Sequence, residues 1–436
     1  MLKVSKASRL KGEIEVPGDK SISHRAVMLG SIGEGETLIN NFLMGEDCKA
    51  TIDCFQKLGI SILVNGTQVK IQGKGLRGLS KSENMLDVGN SGTSIRLISG
   101  ILAGQNFETI ISGDESIQKR PMKRIVEPLC AMGASISGNE LKKGEKMNIF
   151  PPLTICGGEL RPIKYSLPIS SAQVKSCLLL AGLYANGETT IIEPAESRDH
   201  TERMFGYFGI PLTKFNNEVM VGGIKSFEGR EIDVPGDLSS AAFFLVAAAL
   251  VPNPEIIIRN VGVNPTRTGI LEVLHRMGVA LEVKNERIIS GEPRGEIVVS
   301  SKRKAESGLS GIEISGDLIP RLIDEIPIIA VLATQAQGKT IIKDAKELRV
   351  KESDRIKTVA AELNKMGAKI IETADGLIIE GPTKLTGTTV ESHGDHRLAM
   401  SLAIAGLIAE GETIIENTEC IETSFPGFES LLKSIT

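Results

Sequence analysis

Tryptophan is absent from the 436 residues, and tyrosine occurs three times. With aromatic residues at 3%, the core must be built from Ile, Leu, Val, Ala and Met. Stacking platforms for single-stranded nucleic acid are therefore scarce. No excess of either charge is present: 50 basic and 54 acidic residues give a net −4, which argues against a protein that coats polyanions. An anionic ligand would have to be caught by local clusters of Lys and Arg. The six cysteines, Cys48, Cys54, Cys130, Cys156, Cys177 and Cys420, form no Cys-x-x-Cys pair and no zinc-like spacing with the five histidines. They read as buried, reduced thiols of a cytoplasmic protein. No signal-peptide apolar segment opens the chain, and no targeting segment is visible. The longest apolar run, around Ala241–Val251, is too short to span a bilayer and reads as a core helix.

What the chain does have is length and repetition. Its size is large for one core, so two domains are expected. A β-type run recurs at Thr37–Ile39, Thr109–Ile111, Thr190–Ile192, Ile256–Ile258, Thr340–Ile342 and Thr413–Ile415. A helix-like stretch follows, five times ending in a glycine (Gly59, Gly133, Gly209, Gly278, Gly367), placed where a helix C′ residue turns left-handed. Ala-rich segments such as Ser176–Leu183, Ala241–Leu250, Ile326–Thr334 and Leu398–Ala409 are apolar on most sides and predict helices buried inside their domain. Six α/β units suggest two domains of three. Val234-Pro235-Gly236-Asp237 echoes Val16-Pro17-Gly18-Asp19 and marks the expected border.

Several stretches could hold anions. Gly18-Asp19-Lys20-Ser21-Ile22-Ser23-His24-Arg25 opens a helix, whose free N–H groups and partial positive charge suit phosphate or carboxylate. Gly89-Asn90-Ser91-Gly92-Thr93 lets backbone approach a ligand closely. Arg120, before Pro121, offers a carboxylate fork, and Pro121 could open the next helix. Ser170-Ser171-Ala172-Gln173-Val174-Lys175 starts a buried helix with more polar groups than capping needs. Ser197-Arg198-Asp199-His200-Thr201-Glu202 follows. Later come Asp324-Glu325, then Val350-Lys351-Glu352-Ser353-Asp354-Arg355, in which i, i+4 spacing would put Lys351 and Arg355 on one helical face, and Gly394-Asp395-His396-Arg397. Taken singly, each is as well explained by a capped helix or a solvated loop. Gly338-Lys339-Thr340 mimics the end of a P-loop but has Ala333 where the first glycine belongs and leads into a strand.

Their joint order is specific. Gly-Asp-Lys-Ser…His-Arg, Gly-Asn-Ser-Gly-Thr…Arg, Arg-Pro-Met, Ser-Ala-Gln-Val-Lys, Arg-Asp-His-Thr-Glu, Val-Lys-Glu-Ser-Asp-Arg and Gly-Asp-His-Arg follow one another as in EPSP synthases, and the chain resembles that family nearly end to end. Asn264-Pro265-Thr266-Arg267 and the Ser171–Lys175 and Arg198–Glu202 stretches resemble its class II group, often associated with glyphosate tolerance. The resemblance implies an α/β (α+β) fold: a two-domain inside-out α/β barrel, each domain three βαβαββ units with buried helices. One domain would span 20–235 and the other 1–19 plus 236–436, with the active site in the cleft. It implies transfer of the enolpyruvyl group of phosphoenolpyruvate to the 5-hydroxyl of shikimate 3-phosphate by addition and elimination, releasing phosphate. Shikimate 3-phosphate would be held by Lys20, Ser21, Arg25, Ser171, Ala172, Gln173, Arg198, Asp324 and Lys351. Phosphoenolpyruvate would meet Lys20, Gly92, Arg120, Gln173, Arg355 and Arg397. Asp324 would be the base at the hydroxyl, and Lys20 and Glu352 would handle the enol proton.

No metal, no cofactor, no nucleic acid and no membrane partner are expected, and the enzyme is expected to be a monomer. Two departures from the family pattern stand out. Thr423 occupies the place of a frequent lysine before the C-terminal Ser424-Phe425-Pro426, and Gly92 stands where a tolerant enzyme carries alanine. A sister enzyme that uses UDP-N-acetylglucosamine shares fold and reaction, but Ser112–Arg120 lacks its catalytic cysteine. A non-catalytic sensor of phosphorylated metabolites would not need the acids Asp324 and Glu352.

Overall fold

The computed structural model describes residues 1–143, 146–299 and 308–436. They divide into two compact units, one of Gly18–Val234 with Ile289–Glu292, the other of Met1–Pro17, Pro235–Ile288 and Pro293–Thr436. All six β-type runs of the sequence are strands, and each is the parallel partner of a short lead-in strand. In the first unit Glu34–Asn40 runs parallel to Glu231–Asp233, Glu108–Ser112 to Leu86–Asp87, and Glu188–Ile192 to Lys164–Ser166. An antiparallel hairpin completes each four-stranded sheet, for example Ser61–Asn65 with Gln68–Lys74. Along Gln68–Lys74 burial alternates, Val69 and Ile71 facing in, as a sheet with one wet face requires. The second unit repeats this pattern twice. Its third sheet has three strands, with Leu2–Ser5 antiparallel to Glu412–Glu416 where a hairpin would stand.

The helices that matter are numbered along the chain: α1 (Lys20–Ile32), α2 (Glu46–Lys57), α3 (Gly92–Ala103), α4 (Ala172–Gly182) and α5 (His200–Phe208) in the first unit. In the second are α6 (Leu238–Leu250), α7 (Ile326–Ala333), α8 (Arg355–Lys365) and α9 (His396–Gly406). Within the first unit α1, α3 and α4 form the interior, and α6, α7 and α9 do so in the second. All thirteen residues of α6 are buried, which explains a segment apolar on every side. Small residues let the inner helices touch: a Cβ on Gly100 of α3 would lie 2.2 Å from the Cys177 carbonyl of α4.

The outer helices are amphipathic and stop where the sequence predicts. Gly59, Gly133, Gly209, Gly278 and Gly367 all have positive φ. The Lys123–Met132 helix begins two residues after Pro121, so that proline precedes the helix rather than opening it. Thiol burial is also less uniform than expected. Cys48, Cys54 and Cys177 are buried and Cys130 is exposed, because the Lys123–Met132 helix turns Ile125, Val126, Leu129 and Met132 inward instead. Among the described residues no helix is long and apolar enough to cross a membrane.

Candidate active site

In the first unit the three inner helices begin with side-chain caps. Asp19 accepts from the Ile22 amide at 2.9 Å, Ser91 from Ser94 at 3.1 Å and Ser171 from Val174 at 3.4 Å. Directly after the caps stand the predicted ligands Lys20 and Ser21, then Gly92, then Ala172 and Gln173. Lys20 Nζ pairs with Asp47 of α2 at 3.0 Å. Arg25 is 4% exposed. Its Nε donates to Thr201 Oγ1 at 2.7 Å, Nη2 to Ser176 Oγ at 2.8 Å and Nη1 to the Ser21 carbonyl at 2.9 Å. All three acceptors are neutral. Burial, only partly offset by Glu202 and Asp19, lowers its pKa to about 10.

Around α3 the side chains interlock. Gln173 accepts from Arg96 Nη1 at 2.8 Å and donates to Thr93 Oγ1 at 3.0 Å. Arg120 Nη2 donates to Asn90 Oδ1 at 3.0 Å and to Ser116 Oγ at 3.2 Å. A Cβ on Gly92 would lie 2.7 Å from Arg96 Nη1 and 2.9 Å from Arg120 Nη1, so both guanidinium groups crowd the first turn of α3 and glycine makes room for them. Arg198 is half-buried in the segment before α5. That segment is braced by Lys175, fully buried between Glu193 and Glu202, each at 2.6 Å. Ser197 bonds to Glu193 through its hydroxyl. Glu202 has its pKa raised by burial against the pull of Lys175.

The second unit carries Asp324, Lys351, Glu352, Arg355 and Arg397, and the first four meet one another. Asp324 Oδ1 lies 3.3 Å from both Lys351 Nζ and Arg355 Nη1. Arg355 Nη2 meets Glu352 at 2.6 Å, and its Nε meets Asp395 at 2.7 Å. Burial alone would lower the Arg355 pKa, but Asp395 and Glu352 together outweigh it and raise it. Burial likewise pushes the Asp395 carboxyl up, and the Arg355 charge overrides it to hold it below the usual range. Asp395 also caps α9, accepting from the Arg397 amide at 3.0 Å. Arg397 itself is 7% exposed, and its guanidinium has no hydrogen bond or ion pair among the described residues.

One sequence expectation fails here. Lys351 and Arg355 do not share a helical face, because Asp354 caps α8 by accepting from the Lys357 amide and the helix starts at Arg355. Lys351 lies in the bend before it; the two cations meet through Asp324 instead. Asp47, Arg96 and Asp395, which contact Lys20, Gln173 and Arg355 respectively, were not among the expected site residues. An acid at a helix cap two residues before a basic one was the available signal for Asp395. Thr423, in place of the frequent lysine, ends a 3-10 turn, Thr418–Thr423, packed on α9.

With this geometry in place, comparison with known proteins is decisive. The family model for EPSP synthase (3-phosphoshikimate 1-carboxyvinyltransferase) matches residues 4–432. The chain belongs to the EPSP synthase family. It is 55% identical over 436 residues, all of both chains, to the 3-phosphoshikimate 1-carboxyvinyltransferase of Brevibacillus brevis. It is 57% identical over 427 residues, 98% of each chain, to that of a Thermoanaerobacter species. The EPSP synthase structure from Acinetobacter baumannii superposes with a TM-score of 0.86 at 45% identity, covering 99% of this chain and 97% of that one. Fold class and family thus agree with the resemblance read from the motifs.

Proposed function

We propose that the chain transfers the enolpyruvyl group of phosphoenolpyruvate to the 5-hydroxyl of shikimate 3-phosphate, with release of phosphate. The observation that carries this is a pair of nearly buried arginines, Arg25 in one unit and Arg397 in the other, with no carboxylate paired to either among the described residues. A buried cation without an acidic partner is costly, and an anionic substrate group relieves it. Lys20, Ser21, Arg25, Ser171, Ala172, Gln173, Arg198, Asp324 and Lys351 are assigned to shikimate 3-phosphate. Lys20, Gly92, Arg120, Gln173, Arg355 and Arg397 are assigned to phosphoenolpyruvate.

Attack of the hydroxyl on C2 needs a base, for which Asp324 is assigned, while C3 takes a proton from Lys20 or Glu352. The resulting ketal phosphate loses a C3 proton and phosphate to give the enolpyruvyl ether. Fixed cations neutralise phosphate and carboxylate throughout. We place the enzyme in the cytoplasm as a monomer; six free cysteines suit that compartment.

The test is phosphate release from phosphoenolpyruvate with either acceptor. Turnover is expected with shikimate 3-phosphate, unchanged by a chelator, and not with UDP-N-acetylglucosamine. The reverse preference would overturn the assignment.

A further inference from the structure

Between the substrate cations Lys20 and Arg25, on the same helix, sits His24, fully buried and given no part in the reaction above. Its Nδ1 lies 2.7 Å from Thr51 Oγ1 on α2. Thr51 Oγ1 lies 2.6 Å from Ser94 Oγ on α3, and the Ser94 hydroxyl donates at 2.7 Å to Ser91 Oγ, the cap of α3. A chain of four polar side chains thus runs from the middle of α1 to the residue before Gly92, against which Arg96 and Arg120 are packed. Helices α1 and α2 are tied a second time by Lys20 and Asp47, one turn before Thr51 on α2.

We infer that His24 is a positioning residue, which fixes the first turn of α3 for phosphoenolpyruvate through Nδ1 alone. The other ring nitrogen, Nε2, has no hydrogen-bond partner. Burial, then the Lys20 and Arg25 charges, keep the imidazole neutral, so one nitrogen carries the proton. An orphaned acceptor costs less than an orphaned N–H, which puts that proton on Nδ1. Each hydroxyl can then accept from the preceding group and donate to the next, Thr51 to Ser94 and Ser94 to Ser91. Arg25 is held separately by Thr201, Ser176 and the Ser21 carbonyl, so the phosphate side of α1 does not depend on this chain.

The inference rests on the proposed activity, and asparagine and glutamine separate its outcomes. His24→Asn places an amide where Nδ1 stands, and His24→Gln places one where Nε2 stands. Steady-state kinetics should give H24N a KM for phosphoenolpyruvate near that of the wild type. H24Q should raise it about fivefold, the loss of one net hydrogen bond, with the KM for shikimate 3-phosphate unchanged. Ser94→Ala, a small deletion one link further on, should behave as H24Q does and guards against a misfolded histidine variant. Nitrogen-15 spectra of the histidine-labelled protein should show the protonated signal at Nδ1. Equal losses in H24N and H24Q, a matching rise for shikimate 3-phosphate, or a proton on Nε2 would each overturn the inference. A wild-type protein that releases no phosphate would instead overturn the activity, and the spectra would still report the tautomer.

Discussion

Arg25 of the first unit and Arg355 of the second, both buried, are held in opposite ways. Arg25 rests on two hydroxyls and a carbonyl, whereas Arg355 is gripped by Asp395, Glu352 and Asp324. The first arrangement leaves the positive charge without an acidic partner among the described residues. The second is electrically complete, and its value lies in the carboxylates it holds in place, two of which are the assigned proton-transfer groups. On the proposed assignment, Arg25 serves binding, and the carboxylates around Arg355 serve proton transfer.

The largest expected effect falls on the acid-rich set. Asp324→Ala should cut turnover by about 10²–10⁴-fold, the usual worth of a positioned base, while calorimetry still detects shikimate 3-phosphate binding. Turnover close to wild type would remove Asp324 as the base.

Swapping the cations sharpens the contrast. Arg355→Met strands the buried Asp395 and should cost about 3–5 kcal/mol in urea unfolding. Arg25→Met should unfold much closer to wild type and instead weaken shikimate 3-phosphate binding about ten- to hundredfold. Equal stability losses in the two variants would erase the distinction.

A smaller effect is expected from acid. The folded pKa of Asp395 lies below its unfolded value, near 3.9. Its contribution is therefore complete above about pH 5 and is lost as pH falls through that unfolded value towards the folded one. Asp395→Asn, less stable at neutral pH, should show a flatter fall in urea midpoint between about pH 5 and 3. An unchanged slope would show that the acid sensitivity arises elsewhere.

The six strands and the buried helices were legible because their signals are local: a β-branched run, an Ala-rich stretch, a glycine that turns left-handed. The side chains assigned to the ligands could be named only from an ordered set of motifs. What joins them was not, because those partners are remote in sequence. Arg25 meets Ser176 and Thr201, 151 and 176 positions away, and Arg355 meets Asp395, 40 away. Where periodicity alone was trusted, at Lys351 and Arg355, a single capping aspartate moved the helix start and broke the inference.

The pairing of Leu2–Ser5 with Glu412–Glu416 has a consequence for biogenesis. The residues of the Gly18–Val234 segment leave the ribosome long before the strand that the first residues require. At about 5–20 residues per second, roughly 180 further residues take about 10–35 s to synthesise. Leu2–Ser5 therefore waits at least that long for the strand it pairs with.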